Sequence, residues 1–171
     1  LAAPVPRTRL LLQKLKVSLT LSIFALLLLP IFAWLVGYIA FGSAPLQTPL
    51  GATLTNSEAL IRIMIISLYI GFNLLFVSGL SFYLSVRTDV PLGAVGIAVG
   101  ISILFNILDA ISALGDLRKW LPTHYAYSWL DALAGEIEWS TMIRGASFTA
   151  MCGIVFYALA FTKFARKDIT S

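Results

Sequence analysis

Two ionisable side chains stand inside otherwise apolar stretches of this chain, and they are the first candidates for chemistry. Arg62 lies just inside one apolar run, and Asp109 lies near the far end of another. A carboxylate within a bilayer costs about 2.5–3.5 kcal/mol on insertion scales, so it needs a partner or access to water. Three readings are open: an Arg62–Asp109 pair between neighbouring segments, an interfacial Asp109 bonded to local backbone or water, and a proton relay through Asp109. His124 stands alone between Thr123 and Tyr125, with no second histidine in the chain. Interfacial hydrogen bonding suits it better than metal binding, and no metal is expected. Cys152, the lone cysteine, sits in an apolar run and reads as a small buried hydrophobe. The chain contains no G-x-x-x-x-G-K-[S/T], no H-E-x-x-H and no G-x-S-x-G. Nothing joins a nucleophile to a base, so a non-enzyme that holds no cofactor of its own is expected.

The elements that carry these residues are apolar. Of 171 residues, 59% are hydrophobic and 12% charged, against about 25% charged in a soluble domain. The mean hydropathy is +0.92. No soluble packing of one domain hides that much apolar surface, so an all-α integral membrane protein forming a single transmembrane unit is expected. The net charge of +4 does not indicate nucleic acid. Its cations stand at the ends of apolar segments, where topology and anionic lipid place them.

The chain opens on Pro4-Val-Pro6, followed by Arg7, Arg9, Lys14 and Lys16 with no acid among them. Pro6 suits a first helical turn. Leu10, Leu11, Leu12 and Leu15 repeat at helical spacing opposite Arg9, Gln13 and Lys16. Residues 4–16 are therefore expected to form an amphipathic helix on the cytoplasmic surface, followed by a turn into the bilayer. The first span is residues 17–40, with a kink at Pro30 and Trp34 and Tyr38 at its outer end. A loop without Lys or Arg follows, and Asn56 or Ser57 is placed to cap the next helix. The second span is residues 59–84. After a short return loop, Pro91 opens the third span, residues 91–114. There Gly96 and Gly100 form a G-x-x-x-G pair that allows close approach of another helix, expected as tight packing within the chain with a specific dimer face as the second reading. Residues 115–144 are aromatic-rich and of mixed charge, with Trp120, Tyr125, Trp129 and Trp139 as interface anchors. They fit helices lying on the outer interface or dipping into it. The fourth span is residues 145–162. Eight cations then fall on the side of the chain ends and four on the other, so the positive-inside bias puts both ends in the cytoplasm.

Together these pieces resemble a known family. The segment Ala3-Pro-Val-Pro-Arg-Thr-Arg-Leu-Leu-Leu-Gln-Lys-Leu15 and the ending Phe161-Thr-Lys-Phe-Ala-Arg-Lys-Asp-Ile169 are similar to those of ABC-2 type transporter permeases. The Leu121-Pro-Thr-His-Tyr125 and Trp129-Leu-Asp-Ala-Leu133 phrases resemble bacterial, particularly actinobacterial, members. The resemblance implies that the chain is a fragment holding spans three to six of a six-span subunit in the bacterial plasma membrane. It implies a second permease subunit, identical or different, and cytoplasmic ABC ATPase subunits that carry the ATP and Mg. It makes the first helix a coupling element that docks the ATPase through Pro6, Arg7, Arg9, Leu10, Leu11 and Lys14. Substrate translocation, most often export, would follow. Two rivals from other classes stand beside it: a structural or assembly membrane protein that transports nothing, and an ion-coupled transporter using Asp109.

Overall fold

The computed structural model describes residues 7–88 and 90–167. Four long helices follow one another up and down: α1 (Arg7–Phe41), α2 (Asn56–Ser85), α3 (Pro91–Ala110) and α4 (Trp139–Lys167). All four contain a stretch long and apolar enough to cross a membrane. Two ends of the bundle can be told apart. At one, the chain makes a two-stranded hairpin, β1 (Leu46–Gln47) and β2 (Thr53–Leu54), paired antiparallel with Leu46 opposite Leu54. At the other, α2 returns into α3 through a short turn.

The first helix departs from expectation. It runs unbroken for 35 residues, about 52 Å at 1.5 Å per residue, against a hydrocarbon core of about 30 Å. No turn separates a surface helix from a span. The physical reason is in the sequence: no Gly or Pro occurs from Arg7 to Leu29, so nothing ends the helix once begun. Pro30 is buried, and the helix continues through it. Pro6 lies outside the described residues, as do the side chains of Arg7, Leu10, Leu11 and Lys14, while Arg9 and Lys16 are exposed.

The second helix starts at Asn56, and its cap is Thr55 rather than Asn56 or Ser57. Thr55 Oγ1 accepts from the Glu58 backbone N–H, and Glu58 Oε2 accepts from the Thr55 N–H at 2.9 Å. This reciprocal capping box satisfies two of the orphan donors at the helix start. The third helix stops at Ala110, short of the expected Leu114, because Ile111 turns extended (φ −82°, ψ 102°). The fourth begins at Trp139, before the expected Gly145, since Arg144 sits comfortably within a helix's first turns. Between them lie only two short 3-10 stretches, Ser112–Trp120 and Ser128–Leu133. Gly115 takes φ 51° in the first, a region a side chain rarely allows. The longer stretch is broken at Gly115, so the cap between α3 and α4 is built of short helical pieces and turns.

α2 is the hub: α4, α3 and α1 each pack on it, α4 most extensively. At the α2–α4 crossing, Gly79 and Gly153 bring backbones together. A Cβ at Gly79 would stand 2.6 Å from the Gly153 carbonyl oxygen, and one at Gly153 would stand 2.5 Å from the Leu75 carbonyl oxygen. Phe76, Leu80 and Ala98 form the buried cluster beside this crossing, with Phe105 and Phe156 against Phe76. The expected contact at Gly96 and Gly100 is not made among the described residues. Both are exposed and a Cβ at either would meet nothing within 4 Å; Ala94 and Ala98 are the buried small residues of α3 instead. α1 is the loosest member, with 6% of its most apolar window buried.

Candidate functional site

Residues 111–138 form a cap over the hairpin end of the bundle. Their 3-10 stretches and turns leave many backbone groups without helical partners, so side chains of the long helices complete them. Arg62, one turn into α2, is the clearest case. Its Nη1 donates to the Ala132 carbonyl at 2.9 Å and to that of Ala134, and its Nη2 donates to the Gly135 carbonyl at 2.9 Å. These carbonyls end the Ser128–Leu133 stretch, where the backbone dipoles leave partial negative charge. A planar guanidinium with several fixed donors fits such a cluster.

The second fastening joins α3 to the cap. Asp109 Oδ1 lies 2.6 Å from His124 Nδ1 and 3.4 Å from Arg118 Nε. All three side chains are partly covered, and the His124 ring meets that of Tyr125 edge-on at 4.8 Å. Arg62 and Asp109 therefore do not pair: each is engaged by a different part of the cap. Both charges needed a partner, and the cap supplies one to each.

A third fastening is neutral. The buried Tyr69 hydroxyl donates to the Tyr125 carbonyl. Gly145 of α4 leaves room for this junction, since a Cβ there would stand 2.5 Å from both Tyr69 Oη and Tyr125 Cβ. Tyr69, Ala132 and Met142 form a buried cluster with Trp129, Ile137 and Ala146 around them. The hairpin is tied in as well, Thr48 Oγ1 donating to the Leu133 carbonyl at 2.9 Å. Thr123, next to His124, is buried and its hydroxyl has no partner among the described residues.

No family model, no curated protein and no solved structure matches this chain. The site must be read from its own geometry. Of the four expected interface anchors, Trp120 and Trp139 are exposed, Trp120 at 75%. Trp129 and Tyr125 instead face inward from the cap onto the bundle, Tyr125 against Phe148. Around Trp120 the surface carries an exposed Asp116–Lys119 pair at 2.6 Å. The bond from Lys119 holds the Asp116 carboxyl below its ordinary range, and the same bond holds the Lys119 ammonium above its own. Burial, and then the nearby Glu138, push the Asp131 carboxyl up. Among the described residues no group of three His, Cys, Asp or Glu side chains could hold a metal ion.

Reading the sequence missed Arg118 and His124 as the partners of Asp109, Thr48 as a tie, and the Gly79–Gly153 crossing. An isolated glycine in an apolar span is a weak sign of close backbone approach, and it was the only sign available for Gly79 and Gly153.

At the opposite end of the bundle stand several cations among the described residues. Arg9, Lys16 and Lys163 are exposed or nearly so, and Arg87 stacks over the Tyr83 ring at 4.8 Å. The two ends of the bundle are joined by the long helices. The 35-residue α1 joins the basic end to the hairpin end, and among the described residues α2 is its main packing partner.

Proposed function

We propose that the chain is the four-span part of a permease subunit of an ATP-driven ABC transporter of the ABC-2 type, working as an exporter in a bacterial plasma membrane. The observation that supports this most is the unbroken, lightly packed α1, with exposed cations at one end. A push from a cytoplasmic ATPase on Arg7, Arg9, Lys14 and Lys16 would travel along such a helix without being absorbed at a joint. Trp34, near the hairpin end of α1, is where that motion would meet α2, because Trp34 Nε1 donates to the Asn56 carbonyl at 3.1 Å. In this reading the basic end is cytoplasmic and the cap faces outward. The ATP and Mg belong to the partner ATPase, and a second permease subunit covers apolar faces that this chain leaves open. The two states of the transporter must differ in their contacts for nucleotide to bias them. Asp109, engaged in fastening the cap, is poorly placed to serve as the carrier of an ion-coupled transporter.

The test is co-purification. The full-length protein, taken from its membrane in mild detergent, is expected to bring a P-loop ATPase with it. The Arg7→Glu, Arg9→Glu double variant is expected to recover much less. An ATPase recovered equally with both would move the docking site elsewhere. Repeated recovery of no ATPase with the wild type would refute the transporter reading and leave a structural membrane protein.

A further inference from the structure

We propose that the His124–Asp109 contact is a pH-sensitive latch between the end of α3 and the cap. The argument starts from which fastenings can change. Arg62 holds its three carbonyls with a group that stays charged at any physiological pH. Tyr69 and Thr48 bond to backbone carbonyls through neutral hydroxyls. None of these alters near neutrality. His124 is the one histidine in the chain, and histidine is the side chain whose ordinary charge change falls there.

Its position makes the change matter. Among the described residues, Asp109 is the only α3 side chain with a polar bond to another element; Ser102 and Asn106 bond within their own helix. The groups facing His124 are Asp109 from α3, Arg118 from the Ser112–Trp120 stretch and the adjoining Tyr125 ring. A protonated imidazole adds an opposite charge to its hydrogen bond with the Asp109 carboxylate, so it holds the carboxylate more strongly than the neutral ring does. The neutral ring can still donate from Nδ1, so loss of the proton weakens the latch without opening it. Arg118, at 3.4 Å, keeps a longer ion pair with Asp109 that does not change over this range and sets the baseline hold on which the His124 contact adds. The sign follows: the cap is held more firmly on the acid side of neutrality and more loosely on the alkaline side. If the cap faces outward, the latch reads external pH; the latch itself does not depend on the transporter reading.

The test uses a nitroxide on the exposed Leu117 as Leu117→Cys, in a Cys152→Ala background, with the protein in lipid nanodiscs. Its mobility is read between about pH 5 and about pH 8, the range over which histidine changes charge. The label is expected to become more mobile as pH rises. In His124→Gln, and independently in Asp109→Asn, mobility is expected to be high and unchanged across the range. Asp131→Asn, which removes the carboxyl that burial pushes up, is expected to keep the full response. No response in the parent, a response surviving in either latch variant, or one lost in Asp131→Asn would overturn the proposal.

Discussion

Gly153→Ala is expected to destabilise the protein by about 1–3 kcal/mol or more, the ordinary cost of forcing a methyl into a filled space. The space here is filled by backbone, which cannot turn aside as a side chain can. The new Cβ would stand 2.5 Å from the Leu75 carbonyl oxygen, 2.7 Å from its carbon and 3.0 Å from the Phe76 nitrogen. α2 and α4 would have to separate, and their separation would loosen the Phe76–Phe105–Phe156 packing beside them. Gly79→Ala should behave alike. The matched control is Gly100→Ala, which meets nothing within 4 Å. It should be neutral or stabilising by up to about 1 kcal/mol, since alanine loses less conformational freedom in a helix. Unfolding of the three variants in detergent by circular dichroism gives the comparison. Equal effects at Gly153 and Gly100 would mean that α2 and α4 do not cross where described.

Arg62→Met is expected to be the costliest single polar change, at about 3 kcal/mol or more, because bonds to a charged group are each worth about 1.5–3 kcal/mol and three go at once, each discounted for the partial exposure of Arg62. The carbonyls of Ala132, Ala134 and Gly135 lose their donor together. Arg62→Lys should recover only part, since an ammonium cannot fork across three acceptors. Proteolysis within residues 134–138 should accelerate in the same order. Combining Arg62→Met with Asp109→Asn should give nearly the sum of the single effects, because the two side chains belong to separate fastenings. A strong coupling energy would instead restore the direct pair that the charges suggested from sequence.

The spans were legible in the sequence because apolar runs bounded by charge need little else to be recognised. Their limits were not. The charge at Arg144 suggests a boundary, yet Arg144 lies inside α4, and the apolar run suggests a span to Leu114, yet the chain turns at Ile111. Helix ends follow backbone geometry and capping, not the nearest charge. The need for a partner was equally legible at Arg62 and Asp109, but not the partners. Those lie in the cap, whose 3-10 stretches and turns carry no periodicity to place one side chain against another. The glycines teach the same lesson. Gly96 and Gly100 share a face of one helix and make a visible pattern, whereas Gly79 and Gly153 meet only because two helices cross in register.

Orientation is the claim on which the coupling account turns, and one measurement tests it directly. Single cysteines at Arg9 and Leu117, each in a Cys152→Ala background, are labelled in intact cells with a membrane-impermeant maleimide. The account expects label at position 117 in intact cells and at position 9 only after the membrane is opened. The reverse pattern would put the basic end of α1 outside, beyond reach of any cytoplasmic ATPase, and would contradict the account.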